Sequence, residues 1–304
     1  MVCRNVYEAL YSATNFLNNM IIINGKKTAA DLRLKLKDEV DNLKIKFNKT
    51  PGLTVILVGE DTPSKIYVKN KEKSANEVGL KSEVIKYPDT VEEETVLEKI
   101  EELNNDDSVS GILVQLPLPK HIDKQKVIEK IVPSKDVDGF HPENVGWLTI
   151  GKHRFIPCTP KGIMKLLDYY EIDLIGKNIV VIGRSNIVGK PIASLLSSRS
   201  DKGNSTVTIC HSKTSNLSYF TQQADILIAA VGIPKKIKAN MVKKSAIIID
   251  VGINRDKNGK IVGDVDIDSV IDKVGAITPV PGGVGPMTIA MLVENTIESA
   301  ERIL

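Results

Sequence analysis

The chain has 304 residues, 42% of them hydrophobic, enough to bury one large core or two medium ones. Charges of both signs are mixed to a net of +3 and aromatics make up only 4%, which argues against a nucleic-acid partner held by bulk charge or base stacking. No apolar run approaches the roughly 18 residues needed to span a bilayer, so no membrane partner is expected.

The first 19 residues, MVCRNVYEALYSATNFLNN, carry one Arg and one Glu and lack a continuous apolar stretch, which makes a poor signal peptide. Met20 opens MIIINGKK and reads as a natural beginning. Residues 1–19 are therefore expected to be an extension or the product of an upstream start, with an amphipathic surface helix as the alternative. From 28 to 47, Leu32, Leu36, Val40 and Leu43 fall at helical spacing. LTVILVG (53–59) is a β-branched run after Pro51-Gly52 and predicts a buried strand. TPSKIYVKNKEKSANEVG follows as a helix, with Pro63 and Ser64 suited to its start and Gly79 to its stop. SEVIKYP predicts a strand, TVEEETVLEKIEELNND a helix with an acidic first turn, and SGILVQLPLP a strand ended by Pro117 and Pro119. Strand and helix alternate, the signature of a parallel sheet with crossover helices.

Residues 132–160 are rich in Pro and Gly and weakly periodic, and are expected to form an interdomain passage. Alternation then resumes: helix TPKGIMKLLDYYEI, strand KNIVVIG, a GRS turn, helix KPIASLLSS, then strands in STVTICHSKT, ADILIAAVG and SAIIIDVG. A Gly-Pro loop, GAITPVPGGVGP, leads into an amphipathic closing helix, MTIAMLVENTIESAERIL.

Cys3, Cys158 and Cys210 have no metal or redox spacing, and an odd, sparse set suggests a reducing compartment. The four histidines form no HxxxH or HExxH cluster, so no metal is expected.

VVIGRSNIVGKP (180–191) resembles a dinucleotide-binding turn without its middle glycine. A strand, a glycine turn and a helix point backbone N–H groups and a helix dipole at an anion. Gly183 suits the tight turn and Gly189 close packing, while the hydroxyl of Ser185, in place of the middle glycine, can donate to phosphate. An NAD site usually carries a carboxylate at the tip of the next strand. Here that strand ends in Cys210, His211, Ser212 and Lys213. With Arg184 on the preceding turn, this acid-free tip favours NADP over NAD.

GEDTPSKIYVKNKEK, GILVQLPLP, KDVDGFHPENVG, PCTPKGI, GRSNIVGKP, CHSKT, DVGIN and PVPGGVGPMT occur in this order. Together they resemble the bifunctional methylenetetrahydrofolate dehydrogenase–methenyltetrahydrofolate cyclohydrolase family over residues 20 to 304. Two stretches depart from that pattern: the 19-residue lead, and SSRSDKGNST (197–206), a few residues longer than usual. The resemblance implies a two-domain α/β protein with a cleft: a folate domain of residues 20–154 plus 286–304, and a Rossmann-type doubly wound parallel-sheet NADP domain of residues 155–285. It implies oxidation of 5,10-methylenetetrahydrofolate with NADP, then hydrolysis to 10-formyltetrahydrofolate, by a cytoplasmic homodimer serving one-carbon metabolism and purine biosynthesis.

Tyr67 and Lys71 are four apart and share a helix face just beyond a strand's C-terminal end, where ligands of open α/β sheets sit. By resemblance Lys71 is the catalytic lysine, Tyr67 its aromatic partner over the folate, and Gln115 a hydrogen-bond partner of Lys71. Asp138, otherwise an ordinary turn aspartate before glycine, would bind the polar edge of the pterin. Ser64 is expected as a helix cap, with substrate contact secondary. Pro281, Gly282, Gly283 and Gly285 would line the cleft, the glycines admitting backbone close to a flat ring. By the same resemblance Ile253 packs near the nicotinamide. The alternatives are another two-domain NADP dehydrogenase acting on a small keto or hydroxy acid, or a dinucleotide sensor without activity. Neither accounts for Tyr67, Lys71, Gln115 and Asp138 together.

Overall fold

The computed structural model describes residues 20–302. The 19-residue lead expected as an extension lies outside the described residues. In chain order the elements begin with β1 (Ile21–Ile22), α1 (Gly25–Phe47), β2 (Gly52–Val58), α2 (Thr62–Val78), β3 (Lys81–Tyr87), α3 (Glu93–Asn104) and β4 (Gly111–Val114). Next come α4 (Lys124–Lys130), α5 (Pro142–Thr149), α6 (Cys158–Tyr169), β5 (Asn178–Ile182), α7 (Gly189–Ser197) and β6 (Thr206–Cys210). The chain continues through α8 (Leu217–Thr221), β7 (Ile226–Ala229), β8 (Ile247–Asp250), β9 (Asn254–Arg255), β10 (Ile261–Val262), α9 (Ile267–Val270), β11 (Ala276–Ile277) and α10 (Val284–Arg302).

Two parallel sheets form. The first has the order β3-β2-β4, and every residue of its central strand β2 is buried. The second has the order β1-β11-β8-β7-β5-β6. In each sheet the chain leaves a central strand, β2 or β5, and the later strands fall on both of its sides, which creates a crevice beyond the strands' C-terminal ends. An antiparallel hairpin of β9 and β10 stands apart from both sheets.

The expected strands and helices appear at the expected places, with three differences in how they are used. Residues 132–160, read as a passage, contain α5, started by Pro142 and capped by the His141 ring, which accepts from Glu143 N–H. β1 pairs in parallel with β11, so residues 21–22, placed by resemblance in the folate stretch 20–154, extend the second sheet. Finally, α6 packs on α10 and α1, so a boundary at 154/155 separates it from helices it is buried against. One apolar cluster consequently runs from Leu53 and Val55 of the first sheet, through Leu36, Leu166 and Met291, to Ile179 and Ile228 of the second.

At the centre of this seam lies a buried polar knot. Asn295 on α10 donates its amide to the carbonyls of Val137 at 2.8 Å and Ile156 at 3.0 Å. Its oxygen accepts from the Lys161 ammonium at 2.7 Å, and that ammonium also meets Glu298 at 2.6 Å and Glu294 at 3.2 Å. Ser299, one turn on, donates to the carbonyls of Ser110 and Ser134. Buried carbonyls and a buried ammonium require such partners, because leaving one unmade costs the full desolvation of the group. Asn295→Leu should therefore destabilise the protein by about 2–4 kcal/mol, measurable as a lower midpoint of urea unfolding.

Candidate active site

α2 begins at the C-terminal end of β2 and its first turns face the crevice. Its N-cap is Asp61, whose carboxylate accepts from Ser64 N–H at 2.9 Å and from Ser64 Oγ at 2.6 Å. The expectation that Ser64 caps this helix is thus corrected: the acid three residues earlier does so, and Ser64 is the donor. Ser64, Tyr67 and Lys71 follow at helical spacing and line one cavity of about 340 Å3.

Lys71 is buried, and its Nζ donates to Gln115 Oε1 at 3.0 Å. Gln115 lies just past β4, and its Nε2 donates to Leu116 O at 2.7 Å, which leaves Oε1 as the atom turned to the lysine. Asp138 lines the same cavity from the segment after Asp136. Asp136 is buried and accepts from the N–H groups of Phe140 and His141 and from the Asn144 amide, fixing the turn that presents Asp138. Burial raises the pKa of Asp138 above the usual carboxylate range, against the pull of Lys71 and with a further rise from Asp136. The buried Cys158 thiol sits within hydrogen-bond reach of this carboxylate and of Val137 O. Burial, followed by the nearby Asp138, pushes that thiol well up, so it stays protonated. Tyr67 is pushed up by burial too and remains a neutral aromatic wall.

The opposite wall comes from the other sheet. Ile187 from the turn after β5, Val251 and Ile253 from the segment after β8, and Thr159 from the first turn of α6 all line the cavity. Thr159 and Thr288 of α10 hydrogen-bond to each other at 3.0 Å. Sequence reasoning quoted PCTPKGI yet passed over Thr159. Its place between Pro157 and Pro160 at a helix start was the available signal, since a first helical turn after an irregular passage points at the sheet ends. Ile253 is 49% exposed, so it is a cavity wall and not core.

The turn after β5 has the build expected of a phosphate site. Gly183 adopts φ +128°, and a Cβ there would lie 2.2 Å from Ala230 O. A Cβ on Gly189 would lie 2.3 Å from Gly183 O, so the two glycines permit the turn to fold onto the helix start. Ser185 Oγ accepts from the N–H groups of Val188 and Gly189, at 3.2 and 3.3 Å. The hydroxyl thus occupies the amides of the helix start and keeps its own proton to donate. Arg184 is exposed and forms no ion pair among the described residues. Past β6, His211, Ser212 and Lys213 form a tight turn, with Lys213 N–H bonded to His211 Nδ1, and no carboxylate stands in it. The residues present fit a 2′-phosphorylated dinucleotide. Among the described residues no three His, Cys, Asp or Glu side chains cluster as a metal site, and no helix is long and apolar enough to cross a membrane.

A second chamber, also about 340 Å3, continues past Tyr67 and is lined by Pro281, Gly282 and Gly283. The glycines there have separate causes. Gly282 adopts φ +108°. Gly283 is required by protein contacts: its own Cβ would lie 2.6 Å from Pro279 O, and its carbonyl sits where a Cβ of Gly25 would be. A Cβ on Gly285 would meet Ile253 at 3.6 Å, so this glycine widens the cavity. Gly283 thus answers to packing while it also lines the chamber.

Beneath this chamber, Asp250 accepts from the N–H groups of Gly252, Asp264 and Val265, and Asp264 accepts from those of Val231, Gly232 and Ile233. The two carboxylates hold the loops after β7 and β8 in place. Burial, partly offset by its N–H donors, raises Asp250 to about 6. Its folded pKa exceeds the unfolded one, so the folded state binds more protons between pH ~4 and ~6, and stability is lost as pH rises through that window. We expect Asp250→Asn to flatten the fall in unfolding free energy between pH 4 and 7 by on the order of 3 kcal/mol, checked by urea unfolding at both pH values.

The fold and the cavity define a two-sheet α/β enzyme class in which a dinucleotide turn and a lysine-bearing helix face one crevice. Models of tetrahydrofolate dehydrogenase/cyclohydrolase match the chain twice, the catalytic domain over residues 23–138 and the NAD(P)-binding domain over 157–304. The bifunctional protein FolD of Pelagibacter ubique is 63% identical over 283 residues, covering 93% of this chain and 99% of that protein. The crystal structure of FolD, methylenetetrahydrofolate dehydrogenase/cyclohydrolase, from Campylobacter jejuni superposes with a TM-score of 0.90 at 52% identity, covering 94% of this chain and all of that one. A Trypanosoma brucei enzyme complexed with NADP and an inhibitor superposes with a TM-score of 0.88 at 35% identity, covering 93% and 98%. The chain belongs to the tetrahydrofolate dehydrogenase/cyclohydrolase family.

Proposed function

We infer that the protein oxidises 5,10-methylenetetrahydrofolate with NADP and then hydrolyses the 5,10-methenyl product to 10-formyltetrahydrofolate. The observation that carries this reading is the single cavity in which the Lys71–Gln115 pair and Asp138 face Ile187 of the dinucleotide turn. In this reading residues 20–154 with 286–304 serve the folate, and residues 155–285 serve the NADP, through Gly183, Arg184, Ser185, Ser212 and Ile253. The family membership supports a homodimer acting in the cytoplasm, in a one-carbon supply that feeds purine biosynthesis.

Bound NADP supplies a nicotinamide that accepts a hydride. The chain's part in this step is placement, since the resulting cation is delocalised over two folate nitrogens and needs no acid or base. Tyr67 offers a flat apolar face for the folate. The Asp138 carboxyl accepts N–H bonds from the pterin edge and sets its register. For the hydrolysis, water adds to the methenyl carbon and one C–N bond breaks, so a proton must leave the water and another must reach the departing nitrogen. Lys71 Nζ is the group in place to carry them. Gln115 holds Nζ at one position while those protons move.

The test follows NADPH formation at 340 nm together with methenyl absorbance. The native protein should form NADPH without methenyl build-up, whereas Lys71→Ala should lose cyclohydrolase activity by about 10²-fold or more. Full cyclohydrolase activity in Lys71→Ala would overturn the assignment. Arg184→Ala should raise the KM for NADP about tenfold while changing that for NAD little, as expected for loss of a two-pronged grip on the 2′-phosphate.

A further inference from the structure

The chamber beyond Tyr67 has an uneven lining that the reaction itself does not explain. Its walls are apolar, built from Ile66, Val251, Ile261 and Pro281, among others. Among the described residues Arg255 is the only cation that lines it, and it stands on the β9–β10 hairpin, exposed to solvent. Its guanidinium spends one N–H on Gly259 O at 2.8 Å and forms no ion pair among the described residues. Asp250 is the only acid among the described residues of the lining, and it is buried beneath its three N–H donors. Asn70, on the face of α2 that also carries Tyr67, and Asn254 complete the polar groups.

A chamber that is apolar along its length and cationic at its hairpin suits a ligand with a flat apolar body and a carboxylate end. Resting on the folate reading above, the substrate has this form: beyond the pterin come an aminobenzoyl ring and then a glutamate with two carboxylates. The pterin would occupy the Lys71 cavity, and the two chambers share Tyr67, Pro63 and Ile253, so one extended molecule can run through both. The 2′-phosphate of NADP is the other anion in the system, but it belongs elsewhere. No residue of the 183–189 turn or of the 211–213 tip lines this chamber. In the sheet, β8, which leads into the hairpin, stands three strands from β6, about 14 Å away at the usual spacing.

We propose that Arg255 is the anchor for the glutamate carboxylates of the substrate and sets a preference for glutamylated folates. Its planar fork, with four N–H groups still free, can take one carboxylate with two parallel bonds or bridge both.

The experiment measures KM for 5,10-methylenetetrahydrofolate and for 5,10-methylenetetrahydropteroate, which ends at the aminobenzoate, in the native protein, Arg255→Ala, Arg255→Lys and Lys257→Ala. Lys257 shares the hairpin, is exposed and lines neither chamber. The native protein should prefer the glutamylated substrate about tenfold in KM, as one charge-assisted pair allows. Arg255→Ala should bring that ratio near one, Arg255→Lys should retain part of it, and Lys257→Ala should keep it. A native ratio near one, or a ratio that survives Arg255→Ala, overturns the proposal while leaving the folate reading standing. Oxidation of neither substrate by the native protein overturns both.

Discussion

The structure depends on one buried amide. Asn295 ties the carbonyls of Val137 and Ile156 to α10, and Lys161 locks the amide's orientation from below. Val137 precedes Asp138 and Ile156 closes the passage that leads to α6, so a single side chain fixes the cavity-facing Asp138 and the seam between the two sheets. The knot is held by α10, the last element of the chain. The site is therefore incomplete until the C-terminal helix has docked between α1 and α6, whatever order the two sheets form in.

Much of the architecture was legible in the sequence because it rests on local signals. Continuous apolar runs mark β2 and β5, start and stop residues mark α2, period-3.6 spacing marks α10, and Gly183 and Gly189 mark a turn whose backbone leaves no room for a Cβ. The Lys71–Gln115 pair was expected from resemblance, and a bond of 3.0 Å joins the two side chains across 44 residues.

What escaped the sequence depends on contacts between distant segments. β1 is only two residues long, too short for alternation to register, and its partner β11 is 255 residues away. Asp61 displaced Ser64 as helix cap because both residues satisfy the same local pattern, and only the backbone decides which carries the non-helical dihedrals. Nothing local marks Gly25 as a required glycine, yet the carbonyl of Gly283, far off in sequence, stands where its Cβ would be. The Asp250–Asp264 pair gave no signal either, since each is an ordinary aspartate until the loops that donate to it are folded.

The apolar cluster that crosses both sheets has a consequence for how the molecule responds to its ligands. The two units share side chains at the seam and so cannot melt apart without exposing Leu166, Met291 and their neighbours to water. Heat should meet the chain as a single cooperative unit. Dinucleotide held at one end would then protect the opposite end against unfolding, because mass action on a shared folded state does not distinguish which end the ligand occupies.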